Sequence, residues 1–227
     1  MSKVFYTSDT HFGHANIIKY CDRPFSGTQE MDEVMIAQWN NTVGIEDTVF
    51  ILGDYAMGDR QKGLQYLRRM NGTKVLINGN HDRLSPVNNN AWRHQHEYLF
   101  DEEGNTLFSA VMDFSEVSLP SIAKNKQNRK VLLSHYPYAG DHDDLKKDRY
   151  SQFRLRDEGK PLLHGHIHDD AWIQKSPTGA VMFNVGVDVN GFAPVEAQEI
   201  NRLITEFERS GDKTWEAPSE QFRKVRG

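Results

Sequence analysis

At 227 residues, with 37% hydrophobic and 26% charged residues, the chain can bury one substantial core and has the composition of neither a disordered nor a membrane protein. A net charge of −5 and a pI near 6.1 argue against a broad basic surface that grips long nucleic acid. The apolar runs are too short to span a bilayer, and the single cysteine, Cys21, excludes an internal disulfide.

Five short hydrophobic runs each stop abruptly in a polar cluster. Val4–Tyr6 precedes Ser8-Asp9, Val49–Leu52 precedes Gly53-Asp54, and Val75–Ile77 precedes Asn78-Gly79-Asn80-His81. Val131–Leu133 precedes Ser134-His135, and Leu162-Leu163 precedes His164-Gly165-His166. Such runs read as strands buried on both faces, and the C-terminal ends of strands are where open α/β sheets place their sites.

Between the first two strands, Thr28 can cap a helix with Met31, Val34, Met35 and Trp39 on one stripe. A second helix is expected over Arg60–Met70, with Leu64 and Leu67 inward and Asn71-Gly72 ending it. From Leu84 to Lys130 the pattern loosens into turns between short elements. Ala180–Val189 reads as one or two strands, and Val195–Ser210 as a closing helix with Ile200, Leu203, Ile204 and Phe207 inward. One catalytic domain is expected over residues 1–210, with 211–227 a polar, loosely ordered tail. No apolar signal core precedes Lys3–Tyr6, which points to the cytoplasm, and Cys21 reads as an incidental thiol.

The strand ends carry the chemistry. Asp9 and His11 stand two apart, so both can turn to one ion only if the backbone bends between them; Gly13 helps such a bend. Asp54 follows a glycine, and one carboxylate can bridge two cations with its two oxygens. Asn80 adds an amide oxygen, and His135, His166 and His168 add imidazoles, enough donors for two sites. With no thiolate among them, the donors suit manganese first, with iron, nickel or zinc as alternatives. Two divalent cations against Asp9 and Asp54 leave a positive centre that attracts a phosphoryl group.

Asp-x-His, Gly-Asp, Gly-Asn-His-Asp, Ser-His and Gly-His-x-His, in this order over residues 9–168, resemble the calcineurin-like metallophosphoesterase superfamily, and Thr-His-Phe-Gly-His with the following Arg-Pro-Phe and the stretch from Asn184 to Gly191 look like its compact bacterial and phage members. The resemblance implies a four-layered α/β/β/α sandwich of two mixed sheets. It implies that Asp9, His11, Asp54 and His168 hold one metal and Asp54, Asn80, His135 and His166 the other. It also implies that His81 acts as general acid on the leaving oxygen, with Asp82 orienting it.

The expected reaction is hydrolysis of a phosphodiester by a hydroxide bridging the metals, and the short, acidic chain, not the resemblance, favours a small substrate such as a cyclic nucleotide. A phosphomonoesterase is the alternative within enzymes, and a non-catalytic binding module on the same fold is the alternative of another class. Around the centre, His14 either reaches the ester or caps a helix starting near Asn16, and Arg23 either contacts phosphate or is a surface charge. The charged run from Asp141 to Lys160, with His142, Arg149, Arg154 and Arg156, reads as a solvated loop, with a substrate lid as the other reading. His164 is expected to be buried structure, and His94 and His96 surface residues. The oligomeric state is left open.

Overall fold

The computed structural model describes residues 2–123, 127–141 and 147–218. In chain order the elements are β1 (Val4–Thr7), α1 (Ala15–Tyr20), α2 (Thr28–Thr42), β2 (Thr48–Ile51), α3 (Arg60–Tyr66), β3 (Thr73–Ile77), α4 (Gln95–Leu99) and β4 (Ala110–Met112). They continue as β5 (Ser115–Leu119), β6 (Arg129–Leu133), β7 (Leu162–His164), β8 (Ala171–Lys175), β9 (Val181–Asn184), β10 (Val195–Glu196), α5 (Ala197–Ser210) and β11 (Thr214–Glu216).

Two mixed sheets result, as expected. The first has the order β10-β1-β2-β3-β4, parallel throughout except for β10, which runs antiparallel to β1. The second has the order β11-β8-β9-β7-β6-β5, with β6, β7 and β9 parallel and the outer pairings antiparallel.

Alternation along each strand separates the cores. Phe5, Val49, Ile51 and Leu76 face one cluster with Met31, Met35, Ile36 and Trp39 of α2 and Leu64 of α3. Tyr6, Leu52 and Ile77 face a second, shared with Val131, Leu133, Leu163 and Phe183 of the other sheet. In α5, Ile200, Leu203, Ile204 and Phe207 fall at helical spacing and are buried in that shared core. Each such side chain contributes about 1.5–3 kcal/mol by burial. The remaining face of the second sheet places Leu132, Leu162 and Met182 against Tyr138, Ala180 and Leu155.

Register aligns the functional ends. Thr7 pairs with Ile51 and Ile51 with Leu76 in parallel strands, so the segments after β1, β2 and β3 leave the same edge. Leu133 pairs in parallel with Leu163, which does the same for the segments after β6 and β7.

Three elements depart from the sequence reading. The helix expected to reach Met70 ends at Tyr66 and tightens into a 3₁₀ turn over Leu67–Arg69. Val195-Glu196 pairs as β10 with β1 before the closing helix starts at Ala197. Residues 211–218 are not a loose tail: Gly211 at φ 78° ends α5, and β11 pairs with β8 while Trp215 packs edge-on against Phe207. The rest of the expected tail, and His142, lie outside the described residues. Among the described residues no helix is long and apolar enough to cross a membrane.

Candidate metal centre

The polar segments beyond the strands continue to hydrogen-bond to one another. Asp9, His11 and Phe12 donate their backbone N–H groups to the carbonyls of Gly53, Asp54 and Tyr55, each at 3.0 Å. Val187 N–H reaches Ser8 O at 3.1 Å, and Ser8 Oγ donates to Leu52 O at 2.6 Å. The donors therefore stand on a braced platform rather than on free loops.

That platform is strained where chemistry is expected. Among the described residues eight non-glycine residues have positive φ, and five of them are Asp9, His11, Asp54, His166 and His168. A left-handed non-glycine residue costs on the order of 1–3 kcal/mol and persists only where its surroundings over-determine it. Glycines allow the close approach: a Cβ on Gly79 would collide with Asp54, and one on Gly165 with Asp9 and Ser8.

The side chains gather into two adjoining groups. Asp9, His11 and His168 offer ligand atoms within 4.8 Å of one another, as do Asp9, Asp54 and His135. His168 gives its Nδ1 proton to Asp188 at 2.8 Å, which turns Nε2 toward His11 Nε2 at 3.2 Å and Asp9 Oδ1 at 3.7 Å. Two imidazole nitrogens each about 2.1 Å from one ion would stand close to that separation. Asp9 Oδ1 is buried and has no hydrogen-bond partner.

His135 gives its Nδ1 proton to Leu52 O at 2.8 Å, so its Nε2 faces Asn80 Oδ1 at 3.0 Å and Asp54 Oδ2 at 3.5 Å as an acceptor among acceptors. Asp54 Oδ2 is also 3.7 Å from His11 Nε2, which puts this carboxylate between the two groups. Converging acceptors without a donor are a cation's environment.

The electrostatics agree. Burial raises the Asp54 pKa, His135 opposes it, and the Asp9 and Asp82 charges add to it, leaving it at about 7. Burial lowers the His168 pKa, but hydrogen bonds to Asp188 and Cys21 and the Asp9 and Asp188 charges outweigh it and raise it to about 11. Burial first, then the His168 and Arg23 charges, keep His11 well below the usual imidazole range, in its neutral form. The residues present thus fit divalent metal ions in charge and donor type.

His166 joins from the second sheet. Its backbone N–H donates to Asp9 Oδ2 at 2.9 Å and its Nε2 meets Asp141 Oδ2 at 2.7 Å, and it is in neither of the two groups of converging ligand atoms. His81 donates its backbone N–H to Asp54 Oδ1 at 2.8 Å, and its ring stands 5.7 Å from that of His11, with burial lowering its pKa.

A half-open cavity of about 460 Å³ runs over the centre. His11, Asp54, Asn80, His81, His166 and His168 form its polar floor; Ile17, Tyr20 and Met57, with His14, Arg149 and Tyr150, form its walls.

Other residues fall elsewhere than the sequence suggested. Asp82 does not orient the His81 ring. Its buried carboxylate accepts the backbone N–H groups of Gly79 at 2.8 Å, Asp54 at 2.9 Å and Tyr55 at 3.2 Å, because the turn after Gly79 points it inward. Arg23 is neither a surface charge nor open to phosphate. All five of its N–H donors are used internally, on Asp188, Asp9 O, Thr10 O and the Met31 sulfur.

His14 occupies the cap position of α1 but makes no side-chain cap hydrogen bond; its ring lies 5.5 Å from that of His11. His164 is fully buried, its Nδ1 on Gly165 O, and burial first among its causes takes its pKa to about 4. His94 is half-buried beside Glu97, and His96 is exposed. The Asp141–Lys160 run is no purely solvated loop, since Arg149 and Tyr150 line the cavity and the Arg154 side chain is 5% exposed. Arg156 is exposed. Asp141 and Asp188 are absent from the sequence-based site and belong to it; the signal for Asp188 was an acid one turn beyond a strand end, and for Asp141 there was none.

A family model for calcineurin-like phosphoesterases matches residues 2–170. The Gene 66 protein of Mycobacterium phage L5 is 34% identical over 207 residues, covering 90% of this chain and 95% of its own. Its counterpart in Mycobacterium phage D29 is 35% identical over 212 residues, covering 92% and 98%. Among solved structures, the protein AQ665 from Aquifex aeolicus matches 89% of this chain and all of its own at 23% identity, with a TM-score of 0.59, a likeness of fold.

Proposed function

This chain belongs to the calcineurin-like phosphoesterase family of metal-dependent phosphoester hydrolases, and from that premise we propose that it hydrolyses a small phosphodiester, a cyclic nucleotide first among candidates, at a centre of two divalent cations. The observation that carries this reading is the convergence of Asp9 Oδ1, Asp54 Oδ2 and Asn80 Oδ1 with the ring nitrogens of His11, His135 and His168. Asp9, His11, Asp54 and His168 would hold one ion, and Asp54, Asn80, His135 and His166 the other. Manganese is favoured for this mixed nitrogen and oxygen set, with iron, nickel or zinc as alternatives. Bound there, divalent cations neutralise phosphoryl oxygens and make water a nucleophile near neutral pH.

The protein's own part is to place the groups around the phosphorus. His81, at the cavity floor, delivers a proton to the departing oxygen. Asp82 fixes the backbone from which Asp54 and His81 project. Tyr20, 75% exposed at the cavity wall, offers a face on which a planar base can stack, and 460 Å³ suits a ligand of nucleotide size. The acidic chain as a whole supports a small substrate over long nucleic acid. We read both sheets and α5 as a single catalytic domain, extended past residue 210 by β11, and the lone thiol supports a cytoplasmic setting.

The test is a pair of rates, on an aryl phosphodiester and an aryl phosphomonoester, with manganese-loaded protein. A clear diester preference is expected. A large monoester preference would replace this reading with the phosphomonoesterase, and no turnover of either in a chain that binds metal would favour a binding module.

A further inference from the structure

Asp141 touches the metal centre from a part of the chain that carries no motif. Its Oδ2 lies 2.7 Å from His166 Nε2, and the two residues are 25 positions apart. The same carboxylate is clamped by Arg149, whose Nε and Nη2 donate to Oδ1 at 3.0 and 2.7 Å, and is approached by Arg154 Nη2 at 3.4 Å. Arg149 also donates its backbone N–H to Asp141 O at 2.9 Å. Arg154 is tied down in turn through Nη1 to Pro137 O at 2.8 Å. Tyr136 and Tyr150 stand 5.1 and 5.6 Å from the His166 ring, so the imidazole is boxed by aromatic rings as well as bonded at its far nitrogen.

Resting on the two-cation reading above, we propose that Asp141 is a positioning residue for His166. By accepting the Nε2 proton it selects the tautomer whose Nδ1 is free for a cation, holds the ring plane, and raises the basicity of the ligating nitrogen, the usual work of a carboxylate behind a metal-binding histidine. The two arginines hold the carboxylate in place. Because Arg149 also lines the cavity, the segment that fixes His166 is the one that meets the substrate.

The test titrates manganese chloride calorimetrically into the full chain, stripped of metal, as wild type, Asp141→Asn, Asp141→Glu and Arg149→Gln. Two sites are expected in the wild type. In Asp141→Asn one of them weakens about 10- to 100-fold while the other keeps its affinity. Asp141→Glu recovers most of the loss, and Arg149→Gln weakens the same site by less. Equal affinities in wild type and Asp141→Asn overturn the proposal, as does a drop in both sites together with a lower Tm, which is general loosening. Outright loss of one site makes Asp141 a ligand itself and also overturns it. A wild-type chain that takes up no manganese removes the function reading, and this proposal with it.

Discussion

Replacing Arg23 by Met distinguishes a brace from a phosphate contact. The guanidinium side chain is 0% exposed and its partner Asp188 11%, and the two are joined at 2.7 and 3.1 Å. Arg23→Met leaves a carboxylate buried without its main counter-charge and strips the carbonyls of Asp9 and Thr10 of their donors, at 2.8 and 3.0 Å. Breaking a buried pair from one side costs about 3–5 kcal/mol, because an uncompensated charge remains. For a chain of this size each kcal/mol moves the Tm by about 2–4 °C, so a fall of roughly 10 °C is expected.

The assay is thermal or urea unfolding with EDTA present, so that no cation contributes. Arg23→Lys should fall between, since an ammonium keeps the charge but cannot span the same set of acceptors. The Asp9 carbonyl belongs to a residue held at φ 58°, so Arg23→Met should also weaken manganese binding at the Asp9, His11 and His168 group. A stability loss below about 1 kcal/mol, with activity reduced through KM alone, would refute the reasoning and return Arg23 to the substrate.

His81→Ala should keep both metals and slow turnover by about 10²–10⁴, most for substrates with poor leaving groups, and unchanged turnover would remove the imidazole from the reaction. Asp82→Asn should lose about 1.5–3 kcal/mol in urea unfolding with EDTA, since an amide cannot accept three backbone N–H groups as a carboxylate does; an effect on catalysis with stability intact would restore the orienting role. Lys74, whose ammonium is pulled by burial down to about 8 while it donates to Met70 O and Gly72 O, gives the native state a weaker hold on a proton than the unfolded chain has. Stability should therefore rise as pH rises from about 8 toward 10.5, and urea midpoints of Lys74→Met should lack that increment.

The candidate donors were legible because strand and site coincide: each of the five hydrophobic runs is a strand, and parallel register carries their ends to one edge. Helix stripes were legible for the same reason, since Ile200, Leu203, Ile204 and Phe207 keep one spacing. Elements without a long apolar signal were not. In β8 the buried pair Trp172-Ile173 is followed by polar residues, and in β11 Trp215 is the sole apolar residue, so only pairing across the chain defines them.

Charges were read by default as exposed or as contacts to substrate, and that default failed for Arg23 and Asp141. Their partners Asp188 and His166 lie 165 and 25 positions away, and no local spacing announces such contacts. The residues that hold donors in place are thus harder to find than the donors, since their job is set by tertiary position.

Anomalous diffraction from crystals grown with manganese tests the central claim most directly. The account predicts two peaks about 3.5–4 Å apart on either side of the Asp54 carboxylate, one toward Asp9, His11 and His168 and one toward Asn80, His135 and His166. A single peak, or peaks away from Asp54 with these side chains still turned to one another, would contradict it.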